Sequence, residues 1–187
     1  SEINWKEPLK WNRKAAEGAR PRVFCASLAD WLDDEVPVEW LADLLKLIHD
    51  TPNLDWLLLT KRPGNFERRL EEVELLDLGE NVDASEMCSY WLERLPPANV
   101  WIGTTVEDQQ RAQERIPALL NIPARVRFLS VEPLLEPVDL RFTIYDLPPD
   151  WVIVGGESGC KARPCNVAWV RSIVRQCKAA AVPVFVK

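Results

Sequence analysis

The sequence predicts an α/β fold, a partial parallel (β/α) barrel of TIM-like type with six visible strands. Three observations predict it. Short β-rich runs recur and are continuously apolar rather than alternating, as parallel strands covered on both faces are. Helical patterns separate most of them, which implies right-handed crossovers between parallel neighbours. A weak internal repeat supports the same unit: LDWLLLT, NVWIGTT and PDWVIVGG each place a tryptophan (Trp56, Trp101, Trp151) at a strand start and a Thr or Gly near its end.

In chain order the strand runs are RVFCAS (22–27), WLLLT (56–60), VWIGTTV (100–106), RVRFLSV (125–131), WVIVGG (151–156) and VPVFVK (182–187). Pro37, behind Asp33 and Asp34, suits a first helical position, and Trp40, Leu41, Leu44, Leu45 and Ile48 then repeat on one face. Asp108 to Asn121 reads as a second helix that Pro117 kinks or divides. Asn166 can cap a third, whose apolar face is Trp169, Val170, Ile173, Val174 and Cys177. Residues 71–98 are acidic, then helical, then punctuated by Pro96 and Pro97, and read as an insertion. The three tryptophans are expected to plug the amino-terminal end of the barrel.

At 187 residues the chain suits one domain. With 29 acidic and 23 basic residues its net charge is −6, so there is no general nucleic-acid-binding signal and no attraction to anionic membranes. No apolar run is long enough to span a membrane, and no signal peptide is visible. Five scattered cysteines without a CxxC pair argue for reduced thiols in the cytoplasm and against a usual zinc site. The only methionine is Met87, and the chain ends on the apolar run AVPVFVK. Both ends are therefore expected to belong to a longer protein.

Ligands of parallel α/β folds meet the carboxyl ends of strands. Those ends offer Ser27 and Asp30, then Thr60, Lys61 and Arg62, then Thr104, Thr105 and Glu107. Later come Ser130 and Glu132, then Gly155, Gly156, Glu157 and Ser158, and finally Lys187. Glu107, Glu132 and Glu157 recur at intervals of 25 residues, one β/α unit, which sets three carboxylates on one face. Carboxylates so gathered call for Lys61, Arg62, Lys187, a metal or a cationic ligand group; alternatively each caps a helix or pairs with a nearby cation. Lys61 and Arg62 suit a phosphate or carboxylate. His49, the single histidine, sits at a helix end, so a histidine-based zinc or Ser-His-Asp hydrolase is not expected. The glycines at 155 and 156 match neither a dinucleotide fingerprint nor a Walker loop.

VRFLSVEPLLEPVDL (126–140) and DWVIVGGESGCKARP (150–164) closely resemble the phage-encoded three-cysteine-motif proteins, a family of unsettled function. LLLTKRP (57–63), NVWIGTTVEDQ (99–109), ERIPALL (114–120) and VPVFVK (182–187) extend the resemblance to about residues 20–63 and 99–187. That family's cysteine motif and barrel are similar to radical-SAM enzymes of the spore photoproduct lyase type. The resemblance implies a nucleoside-type cofactor, S-adenosylmethionine, at the barrel mouth, and an iron–sulfur cluster only if a three-cysteine segment precedes this portion. Ala26-Ser27 stands where relatives carry Asn-Ser.

Three readings follow. The first is a phage or mobile-element enzyme domain in which Glu107, Glu132 and Glu157 hold a cationic group and Lys61, Arg62 and Lys187 an anionic one. The second is a binding or protein-partner module that kept the fold and lost the cluster. The third is a barrel enzyme with a divalent metal on Glu107, Glu132 and Glu157.

Overall fold

A computed structural model of the chain describes residues 2–15, 20–25, 29–76, 82–142 and 147–187. The elements, in order, are α1 (Glu2–Lys14), β1 (Arg22–Cys25), α2 (Val38–His49), β2 (Asp55–Thr60), a 3-10 turn (Pro63–Asn65), α3 (Phe66–Glu74), α4 (Val82–Leu92), β3 (Val100–Thr105), α5 (Gln109–Asn121), β4 (Val126–Val131), β5 (Trp151–Val154), α6 (Val167–Ala179) and β6 (Val184–Val186). The six parallel strands join one sheet in the order β1-β2-β3-β4-β5-β6. Sequential order is how a (β/α) barrel lays down its strands, so the α/β fold is the one the sequence predicts.

Burial follows position in that order. β2, β3 and β4 are largely buried along their length, whereas β1 alternates between exposed and half-buried residues. The expectation that every strand is covered on both faces fails at the two edge strands, β1 and β6, none of whose residues is fully buried. Phe24 and Phe185 are correspondingly exposed. β1 ends at Cys25, and Ala26 and Ser27 lie outside the described residues. β5 ends at Val154, so the two following glycines begin a loop.

The chain forms two compact units, residues 1–101 with 123–125 and residues 102–122 with 126–187. In the first, α2 buries Leu41, Ala42, Leu44, Leu45 and Ile48. Trp40 falls at the edge of that stripe and is exposed, not part of the apolar face the sequence suggests. Pro37 is the N-cap, not the first helical residue, because its extended ψ of 137° leaves it outside the helix while its carbonyl accepts from Trp40 N–H. Around fully buried Trp91 of α4, Trp31 stacks at 6.4 Å and Phe66 of α3 meets it edge-on at 5.1 Å. Trp91 Nε1 donates to Pro123 O at 2.6 Å, which satisfies its polar end. The helix α1 was not legible, since Pro8 interrupts its pattern.

In the second unit, Phe128 is fully buried over Gly103, where an added Cβ would lie 2.3 Å from the ring. Asp108 caps α5 by accepting from Arg111 N–H at 2.7 Å, and α5 runs through Pro117 as one assigned helix. Asn166 caps α6 as expected, accepting from Ala168 N–H at 2.9 Å. Only Ile173 and Cys177 of its predicted apolar face are fully buried. Of the strand-start tryptophans, Trp56 is buried with Nε1 on Thr51 Oγ1, Trp101 lies under the Arg22 guanidinium at 4.7 Å, and Trp151 meets Phe128 at 5.8 Å.

Candidate functional site

In the first unit the carboxyl end of β2 is organised by one acid. Asp30 Oδ1 accepts from Leu32 N–H at 3.1 Å and from the Thr60 hydroxyl at 2.7 Å. Its Oδ2 accepts from Lys61 N–H at 2.7 Å and from Arg62 Nη1 at 3.2 Å. Arg62 also reaches Asp33 at 2.9 Å, and its own N–H donates to Thr60 Oγ1. Both forks of the guanidinium are thus held by protein carboxylates. The Asp30 side chain is only 9% exposed, and four donors fill its lone pairs. Asp30, Thr60 and Arg62 therefore build the turn, while the Lys61 ammonium is exposed and has no partner among the described residues.

In the second unit the parallel ladder continues past the strand ends. Val106 N–H donates to Ser130 O, Gly155 N–H to Val131 O and Lys187 N–H to Val154 O, at 2.8, 3.2 and 2.9 Å. The SVEPLLEPVDL segment then crosses the neighbouring strand ends: Leu134 N–H donates to Gly155 O at 2.9 Å and Leu135 N–H to Glu107 O at 3.0 Å. The Glu132–Pro133 peptide is cis. Further along, Gln109 exchanges two hydrogen bonds with the Asp139 backbone, and the Gln176 amide bridges Val138 O and Leu140 N–H. The loop is thereby pinned to α5 and α6, giving Glu132 a rigid base.

The three glutamates do not occupy equivalent positions. Glu107 stands two residues after β3, Glu132 directly after β4 and Glu157 three after β5, so the regular 25-residue spacing conceals different turns. Each meets its own cation. Arg115 Nη1 lies 2.9 Å from Glu107 Oε2 and also donates to Thr105 O, both side chains being mostly buried. Lys187 Nζ lies 2.6 Å from Glu132 Oε1. Glu157 receives Arg163 Nε at 2.8 Å, Nη2 at 3.0 Å and the Arg163 backbone N–H at 2.9 Å. Hydrogen bonds from the Arg163 side chain, then its backbone, hold the Glu157 carboxyl down at about 2.

These pairs differ in what they can do. Glu107–Arg115 is a braced positioning pair, and Glu157–Arg163 closes its own loop with Ser158 exposed at the tip. Glu132–Lys187 is held by one hydrogen bond, its lysine 57% exposed and its glutamate 18%. The pair packs against bare backbone: a Cβ on Gly155 would lie 3.2 Å from Lys187 Cβ and 3.7 Å from Glu132 Cδ. At Gly156 a Cβ would meet Cys165 Cβ at 2.8 Å. Arg115 and Arg163 were missed by sequence reasoning. A cation two turns into the helix after a strand was the available signal for Arg115, and nothing local marked Arg163.

The thiols do not gather. Among the described residues no three cysteines come together, and the only clustered group of metal-ligating type is His49, Asp50 and Asp83. Burial pushes the Cys88 thiol up to about 12 and the Cys177 thiol up to about 11, which disfavours the thiolate a cluster requires.

A family model described as a protein of unknown function, DUF5131, matches residues 1–187. The chain belongs to that family. The DUF5131 match takes in residues 1–19 and 64–98, so α1, α3 and α4 lie within the family's extent. No curated protein and no solved structure matches the chain. For this DUF5131 member, no helix among the described residues is long and apolar enough to cross a membrane.

Proposed function

We propose that this chain binds a small molecule carrying both an ammonium and an anionic group, at the strand ends of its second unit. The observation that carries this reading is the Glu132–Lys187 pair beside Gly155. An exposed ion pair contributes little to stability, and a ligand bearing both charges replaces each partner in turn: its ammonium on Glu132, its carboxylate on Lys187. Gly155 carries no Cβ, and Lys187 Cβ and the Glu132 carboxyl carbon fill that space, so the pair stands directly over backbone. The amino-acid end of S-adenosylmethionine has this chemistry, and it is the ligand that the resemblance to phage radical-SAM-like proteins suggests.

The cluster of that resemblance is not supported by the residues in hand. Cys88 and Cys177 are buried with raised thiols, and the described cysteines do not converge. The binding reading rests on the Glu132–Lys187 pair and holds with or without a cluster. The divalent-metal reading gains nothing from the geometry, because Arg115, Lys187 and Arg163 already meet the three carboxylates.

Thermal unfolding with S-adenosylmethionine, S-adenosylhomocysteine, methionine and adenosine tests the proposal. The expected result is a saturable rise in Tm with the three amino-acid-bearing molecules and none with adenosine, since a ligand stabilises only the state it binds. An unchanged Tm with all four, or a response to adenosine alone, contradicts it.

A further inference from the structure

The register of β4, β5 and β6, all in the second unit, shows what lies beneath the Glu132–Lys187 pair. Phe128 pairs with Trp151, Ser130 with Ile153 and Ile153 with Phe185. The bonds from Gly155 N–H to Val131 O and from Lys187 N–H to Val154 O continue that register, which sets Glu132, Gly155 and Lys187 side by side. Side chains alternate along a strand, so every second residue shares a face. One face therefore holds three rows: Phe128 and Trp151 at the bottom, Ser130, Ile153 and Phe185 in the middle, and Glu132, Gly155 and Lys187 on top. Two contacts agree with this alignment. The Phe128 and Trp151 rings meet at 5.8 Å, and a Cβ on Gly155 would face both Lys187 Cβ and Glu132 Cδ.

The two faces of β5 have different surroundings. Val152 and Val154 lie on the opposite face and are fully buried, and α6 packs against both β5 and β6. On the face that carries the rows, Trp151 and Ile153 are half-buried and Phe185 is 54% exposed. An apolar strip thus runs down from the ion pair, with fully buried Phe128 at its foot. Exposed apolar surface bordered by charge is the character of a binding site. Successive rows are two residues apart, about 7 Å, which sets the distance from the charged head of a bound molecule to its body.

We propose that the zwitterion held by Glu132 and Lys187 carries a flat aromatic body, and that Phe185 is the residue that selects it. The aromatic preference rests on the zwitterion reading above and supplies the other half of the molecule. With its ammonium and anionic group on the top row, the body falls on Ile153 and Phe185. Ile153 gives apolar contact to a ring or an alkyl chain alike. The exposed Phe185 ring discriminates, because aromatic pairs gain from ring geometry beyond the area they bury.

S-benzyl-L-cysteine and S-methyl-L-cysteine share one zwitterionic head and differ in the ring, which the first carries on a short spacer. Each is titrated into nitrogen-15-labelled protein, the Gly155 amide reporting on the top row and the Phe185 amide on the middle one. The expected result is a saturable Gly155 shift with both probes, a Phe185 shift with the benzyl compound alone, and about tenfold tighter binding of that compound. Phe185→Leu, at an exposed position, removes most of that gain and leaves S-methyl-L-cysteine binding within about twofold of wild type. Equal affinity for the two probes, or a ring preference that survives Phe185→Leu, overturns the inference while the zwitterion reading stands. If neither probe shifts Gly155, that reading fails and the aromatic preference falls with it. A Phe185 amide that follows protein concentration and not the probe gives the strip to a second copy of the chain, which also overturns the inference.

Discussion

At Asp30 one carboxylate holds together the residues that close β2, taking four donors from Leu32, Thr60, Lys61 and Arg62. Hydrogen bonds to a charged group contribute roughly 1.5–3 kcal/mol each where they are sheltered. Asp30→Ala is therefore expected to lower unfolding stability by about 2–3 kcal/mol in urea titration, once solvent relaxation offsets part of the loss. A change within the experimental scatter would show the network to be dispensable. Glu157 gives a different single-residue test. Its carboxyl ordinarily titrates near 4.5 and is held at about 2 by Arg163, so the pairing is fully present above pH 4.5 and is lost as pH falls toward 2. The Arg163 amide resonance should follow that low midpoint, and in Arg163→Ala the Glu157 carboxyl should return toward 4.5. A wild-type midpoint near 4.5 would contradict the loop closure. The sequence marked Asp30 and Glu157 as polar residues after strands, but it could not say which donors turn toward them. That depends on loop geometry, which has no periodic signature.

Among the elements, legibility tracked burial. β2, β3 and β4 were readable because both faces are covered and their residues are apolar throughout. The caps Asp108 and Asn166 were readable because side-chain capping has a strong residue preference. Trp40 was misread because a helical stripe has an edge, and one apolar residue there costs little when exposed. The 25-residue interval of the glutamates reflects a repeated β/α length, yet turns of one, two and three residues aim them differently. Packing between elements makes its own prediction at Gly103, where an added methyl would overlap the Phe128 ring at 2.3–2.6 Å. Overpacking a filled core costs about 1–3 kcal/mol. Gly103→Ala is expected at the upper end of that range by chemical denaturation, while Gly64→Ala, with no heavy atom within 4 Å of its Cβ, serves as the control. Equal stability of the two variants would mean that Phe128 moves freely.

For the whole molecule, the fold class was legible and the function was not. A DUF5131 chain with parallel strands in sequential order carries its polar residues where such folds bind ligands. Most of those residues bind one another instead, which no spacing rule reveals. Glu132 and Lys187 are the most exposed and least braced of these pairings between strand-end residues, joined by one hydrogen bond beside a residue without a side chain. The central claim is that this pair opens to a zwitterion. Calorimetric titration of S-adenosylmethionine into the wild-type chain and into Glu132→Gln tests it most directly. A charged hydrogen bond of roughly 1.5–3 kcal/mol predicts that the substitution weakens binding by about tenfold to a hundredfold. Equal affinity in the two proteins, or no binding heat in either, would contradict it.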